Sequence, residues 1–270
     1  MSSCTRFATE GRTLAAPDVT RLIYRNIRVN TDPASLFILL GLPALYLIFF
    51  GYGFGSIAAS QGGSATAYLA FLAPGIMAFQ SVMAGTVGGG MLWADRRYGM
   101  LTQLLVGPFT RLQYLFGIMF TALLIGIGGA AVMLVLSIVL LGTGPATLGG
   151  ALVAFGAIAL GSLFFGSMML LLSTYVKSNN AYNSIQILLI FLLNFASTVF
   201  YPYSADLPYV LRLLFAINPL TYIADTARNG FHGTLSPTNE IEMIVLAVET
   251  AVVLVLASRA YMRADVSAME

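Results

Sequence analysis

Hydrolytic or redox catalysis has little to work with in this chain of 270 residues. His232 is its only histidine and Cys4 its only cysteine, far apart along the chain. No metal-ligand spacing and no nucleophile–base pair can be assembled from them. Two glycine-rich stretches superficially suggest phosphate loops. GYGFG at 51–55 follows no strand and lacks the P-loop lysine and Ser/Thr, and the GxxxxGS at 161–167 again has no lysine, so neither is a nucleotide site. One acid stands out. Glu249 lies near the middle of an apolar run, where an exposed charge costs a few kcal/mol or more. A proton-coupling carboxylate or a substrate contact is one reading of it. A protonated or hydrogen-bonded side chain that glues two helices is the preferable one for an isolated carboxylate.

The stretch with the most to say is a charged island, ADRRYGMLTQLLVGPFTR at 94–111. No charged residue occurs from 33 to 94 before it, and none from 112 to 176 after it. Each run is long enough to cross a bilayer twice at roughly 20 residues per crossing. Two crossings return the chain to the side it left, so the island shares a face of the membrane with the segment that precedes the first run. Met100, Leu101, Leu104 and Leu105 fall at helical spacing, Asp95, Arg96 and Arg97 crowd the start, and Pro108 stops it. A half-apolar helix between two hairpins needs something to pack on.

The elements that hold this island follow from composition. Charged residues are 9% of the chain and hydrophobic ones 58%, with mean hydropathy +0.86; soluble domains carry roughly 25% charge. The expected fold is an all-α polytopic membrane protein with six transmembrane helices, an N-terminal interfacial amphipathic helix and a re-entrant outer helical hairpin before the last span. The first 30 residues hold five arginines and no continuous apolar core, so no signal peptide is expected there. A lone cysteine leaves no intrachain disulfide.

Residues 1–33 are expected to be a cytosolic segment whose second half forms the interfacial helix, starting at Asp18 as N-cap. Val19, Leu22, Ile23 and Ile27 fall on one side and Arg21, Arg25 and Arg28 on the other, reaching for lipid phosphate. The transmembrane region is 34–260, with spans at about 34–54, 67–93, 114–141, 148–175, 182–200 and 241–260. The island occupies a loop at 94–113, an outer hairpin fills 201–240, and 261–270 is a cytosolic tail. Gly126, Gly128, Gly129, Gly156, Gly161 and Gly166 suit close helix packing in lipid. The hairpin region holds two short helices, about 207–216 and 219–229, broken at Asn218-Pro219, with Asp225 and Arg228 spaced to pair. With six spans, eleven of the thirteen basic residues fall on the inner side, leaving Arg212 and Arg228 outside. No internal repeat of the inverted-carrier kind is evident.

Three stretches resemble the permease subunits of ABC type-2 exporters, especially the daunorubicin-type drug-resistance and nodulation lipo-oligosaccharide branch. They are ADRRYGMLTQLLVGPFTRLQYLFG, then YPYSADLPYVLRLLFAINPLTYIADTARNGFHG before the last span, and the whole layout. Asp95 stands where that family often has Glu, Met100 where it has Thr, and Thr102 where it has Glu. The resemblance implies that Asp95, Arg96, Arg97, Tyr98, Gly99, Leu101, Leu104 and Leu105 form a coupling helix seated in a separate ATPase subunit. It also implies a permease homodimer, or a heterodimer with a related permease, in a bacterial plasma membrane, with both chain ends cytosolic. The chain would bind no cofactor; ATP and Mg would sit on the partner, and lipid, not nucleic acid, would be the other contact. Amphipathic drugs, lipids or glycolipids are the implied substrates. Candidate path residues are Tyr46, Phe50, Phe79, Gln80, Asn194 and Thr198. The alternatives are a proton-coupled secondary carrier using Glu249, and a lipid-directed membrane enzyme or scaffold, which the lack of a catalytic constellation disfavours.

Overall fold

A computed structural model describes residues 16–60, 62, 64–107, 109–204 and 206–264. Among the described residues the chain is helical almost throughout and has no strand. The helices are α1 (Ala16–Asn30), α2 (Pro33–Leu36), α3 (Leu42–Ser60), α4 (Ala65–Arg97), α5 (Met100–Val106), α6 (Arg111–Leu136), α7 (Leu148–Tyr175), α8 (Asn179–Phe195), α9 (Tyr209–Ile217), α10 (Pro219–His232) and α11 (Pro237–Arg263). A π-helical turn, Phe37–Gly41, joins α2 to α3, and another, Ser137–Leu141, extends α6. The protein is an all-α polytopic membrane protein.

Helix starts are written in local chemistry. Asp32 accepts from the Ala34 and Ser35 amides with Pro33 at the first helical position of α2. Thr110 and Gln113 form a reciprocal capping box on α6. Thr147 caps α7 through the Gly150 amide, and Asn218 caps α10 through the Leu220 amide. Once the ends are satisfied, the uncharged interiors bury against one another or face lipid.

The central pair is α4 against α7. A Cβ at Gly85 would stand 2.6 Å from Phe165 Cβ, and one at Gly89 2.5 Å from Met169 Cβ, so these glycines set how closely the two backbones approach. Of the glycines expected to pack, Gly126, Gly129 and Gly161 press on Ser162, Gln80 and Ile223, while Gly128 and Gly156 face open space. Around this pair sit α6, α10, α11 and, at one end, α1.

Three expectations are corrected. First, the island is not one helix. Asp95, Arg96 and Arg97 are the last turn of α4, which ends at Tyr98 and Gly99; Gly99 takes φ +68°, a left-handed turn, before α5 begins. Second, the span expected at about 182–200 is helical only in its first part, beside five other helical runs that are long and apolar enough to cross a membrane: Pro33–Ile57, Ala65–Arg97, Arg111–Leu141, Leu148–Tyr175 and Pro237–Arg263. That span is the 17-residue α8, about 25 Å of helix at 1.5 Å per residue, followed by turns up to Phe200. It stops because Asn218 Nδ2 donates to the carbonyls of Leu193 and Ala196, taking up the helix's last acceptors from 22 to 25 residues away. Third, α1 begins at Ala16, so Asp18 lies within it rather than capping it. Pro108 as the stop of the island, and the readings for 1–15 and 265–270, lie outside the described residues.

The hairpin α9–α10 runs into the bundle rather than over it. At its far end Gly230 meets the start of α7, where a Cβ on Gly150 would fall 1.9 Å from Gly230 O, and Phe231 O accepts from Ala146 N. At its near end Ile223 abuts Gly161. From Gly150 to Gly161 is about 16 Å along α7, which is how far α10 penetrates.

Candidate functional site

The bundle gathers its charged groups at one end, around the turn between α4 and α5. Asp95 is buried there. Arg25 of α1 holds it with two nitrogens, 2.5 Å to Oδ1 and 3.1 Å to Oδ2, and Tyr114 of α6 donates to Oδ2 at 2.7 Å. Burial alone would depress the Arg25 pKa, yet the Asp95 carboxylate outweighs it and raises the guanidinium above its ordinary value. Arg96 is turned inward too, donating to the carbonyls of Ser173 (3.0 Å) and Thr174 (2.9 Å) at the end of α7. Arg111 donates to Met262 O (2.6 Å) and Ala264 O (3.2 Å), holding the last carbonyls of α11. Trp93 stacks on Tyr182 of α8 at 5.6 Å and carries the Arg97 guanidinium 5.2 Å from its ring centre. The ends of α1, α4, α7, α8 and α11 are thus tied to one elbow.

The eight residues expected to face a partner therefore divide. Asp95, Arg96 and Leu101 are buried, and Leu104 and Leu105 pack on the apolar cluster of Leu22, Leu92, Tyr114 and Tyr261. Asp95, Arg96 and Leu101 position the elbow, while Leu104 and Leu105 stay partly exposed. Arg97, Tyr98 (75% exposed) and the turn at Gly99 face outward, joined by Met100 and by Val106, which is 83% exposed. Much of the apolar face of α5 is covered by this chain.

α1 also departs from expectation. Leu22 and Asn26 are its most buried residues, seated where Gly117 and Thr121 make room on α6, and Arg25 sits beside them. Arg21 and Arg28 remain exposed, so two of the three arginines keep an outward position and the third is an internal ion pair.

The path candidates fall into separate places. Tyr46, Phe50 and Phe79 form one aromatic group with Phe200, whose ring lies 4.4 Å from that of Phe50 and 5.4 Å from that of Tyr46. Gln80 points elsewhere: it is fully buried against Gly129, with neither amide atom hydrogen-bonded among the described residues. Asn194 is buried at the end of α8 with Oδ1 unpartnered. Thr198 belongs to the hairpin, donating to Asp225 Oδ1 at 2.7 Å.

At the end opposite the elbow, two of the four hairpin residues, Asp225 and Arg228, pair, while the other two, Asn218 and Pro219, lie at the start of α10, where Asn218 holds the end of α8. Arg228 pairs with Asp225 at 2.6 Å, donates to Phe71 O (3.1 Å) and Thr198 O (2.9 Å), and lies 3.8 Å from the Phe71 ring centre. Glu249 is half-buried in α11, its Oε2 enclosed without a hydrogen-bond partner among the described residues.

Residues unmarked in the sequence complete both ends. Tyr114, Trp93 and Arg111 build the elbow, and no local spacing announced their roles. Glu242, near the start of α11, could have been found by the argument that singled out Glu249, since both are acids inside an apolar helix.

The family described as ABC-2 type transporter matches residues 19–232, which includes the elbow and the whole hairpin. No curated protein matches the chain.

Proposed function

The chain belongs to the ABC-2 type transporter family, and from that premise we propose that it is the permease subunit of an ATP-driven exporter. It moves an amphipathic substrate (a drug, lipid or glycolipid) out of the cytosol or inner leaflet, as in the drug-resistance and nodulation branch. ATP and Mg bind a separate ATPase subunit, because this sequence offers no P-loop. The membrane is the bacterial plasma membrane, with the elbow on the cytosolic side. The observation that carries the reading is the elbow: the turn from α4 into the short α5, with an outward patch of Arg97, Tyr98, Met100 and Val106, tied from behind to the ends of α1, α7, α8 and α11. A push on that patch reaches α1, α4, α7 and α11 through side-chain contacts rather than through a flexible loop.

Two copies form the working unit, paired along α8. This helix is held to α4 at its start, where Tyr182 stacks on Trp93, and to the start of α10 at its end, where Asn218 takes the Leu193 carbonyl, and it turns Ile187, Leu188, Phe191 and Phe195 outward.

Co-expression with a candidate ATPase tests the reading. Val106→Asp and Arg97→Glu should keep the protein in the membrane and folded, yet cut substrate-stimulated ATP hydrolysis by about tenfold or more, as expected for loss of 1.4 kcal/mol or more at the docking patch. Undiminished stimulation in both variants would remove the elbow from the coupling route.

A further inference from the structure

We infer that the polar cleft between the start of α11 and the α10 hairpin binds the ammonium group of a cationic amphiphile. The inference rests on the permease reading and names the chemistry its substrate would carry at the end of the bundle opposite the elbow. The cleft, about 400 Å³, is lined by Phe71, Tyr203, Asp225, Arg228, Asn239 and Glu242, among others. Its one cation is committed to the scaffold. Each nitrogen of Arg228 already donates, to Phe71 O, Asp225 Oδ1 and Thr198 O, and its flat face covers the Phe71 ring. The acceptors are not used up in the same way. Glu242 is met only by the Asn239 amide, at 3.2 Å to Oε2, and Asp225 takes both its hydrogen bonds on Oδ1, leaving Oδ2 without a partner among the described residues. Two carboxylates thus face one guanidinium that is turned to the walls.

A half-buried carboxylate with spare lone pairs favours a ligand that brings positive charge with it. The walls select an organic cation over a metal. Tyr203 stands 57% exposed at the mouth, and aromatic faces attract ammonium groups. Among the described residues no three His, Cys, Asp or Glu side chains gather to hold an ion. The apolar remainder of such a ligand has lipid-facing surface beside it on α11, where Ile241, Ile244 and Val245 are exposed. An anionic amphiphile meets acceptor oxygens on both acids and finds the one guanidinium already committed.

Equilibrium dialysis of labelled dodecyltrimethylammonium against the full chain in lipid nanodiscs tests this. Wild type should bind it saturably. Glu242→Gln should weaken binding about tenfold, the scale of one charge-assisted contact. Glu242→Asp should keep most of the affinity, and Glu249→Gln, deeper in the same helix, should bind like wild type. Dodecyl sulfate should not compete. The inference fails if Glu242→Gln binds normally, if Glu249→Gln loses as much, if dodecyl sulfate competes equally, or if micromolar calcium displaces the probe and so marks a metal site. This assay needs neither nucleotide nor partner. A negative result leaves the exporter reading standing, and an ATPase that fails to associate leaves the binding result standing.

Discussion

Asp95 accepts three hydrogen bonds from two other helices, and that makes it the residue on which the elbow turns. Its side chain is 9% exposed and that of Arg25 29%, so the pair is screened less than a surface bridge and more than a fully enclosed one. Removing one partner of a fully buried pair costs 3–5 kcal/mol; at this exposure Asp95→Leu should cost about 2 kcal/mol. Thermal unfolding in detergent should show Arg25→Leu and Asp95→Leu melting well below wild type. The reversed pair, Arg25→Asp with Asp95→Arg, should melt above either single reversal. Wild-type melting of the single variants would mean the bridge carries no load. The sequence displayed Asp95 and Arg96 as charges beside a membrane end, and positive-inside logic made them look solvent-facing. What it did not display was who claims them. Arg25 lies 70 residues upstream and the Ser173 carbonyl 77 downstream, and no window of local spacing reaches that far.

At the level of helices, uninterrupted uncharged runs were enough to place the long elements, because a chain that cannot meet water must satisfy its backbone within itself. The α9–α10 hairpin was legible for the same reason: Pro219 fixes a start and Asn218 a cap, both local signals. Helix ends set by distant partners were not legible. α8 halts where Asn218 takes its carbonyls, and α4 runs on to Arg97 because its final charges find partners inside the bundle. The exposed flank of α8 makes its own prediction. In a Cys4→Ser background, Leu188→Cys should cross-link to a second copy under mild oxidation in membranes. Leu152→Cys, on the similarly exposed face of α7, should not. Equal cross-linking at both positions would mean random collision rather than a defined pair.

Across the whole molecule, basic residues sort by end. Among the described residues Arg21, Arg25, Arg28, Arg96, Arg97, Arg111, Lys177, Arg259 and Arg263 lie on or next to helix ends at the elbow, while Arg212 and Arg228 belong to the hairpin. Asymmetry of that size orients insertion. A membrane-impermeant maleimide applied to intact cells should therefore label Thr234→Cys and spare Tyr98→Cys, again without Cys4; the opposite pattern would invert the molecule. The grip of Arg111 on the last carbonyls of α11, beside the Arg25 bridge to α1, has a further consequence. The first and last described helices surface at the same corner as the turn that a motor would push. A hydrolase tethered to either helix by a short linker would arrive at one berth, so a single-polypeptide version of this machine would need no rerouting of the chain.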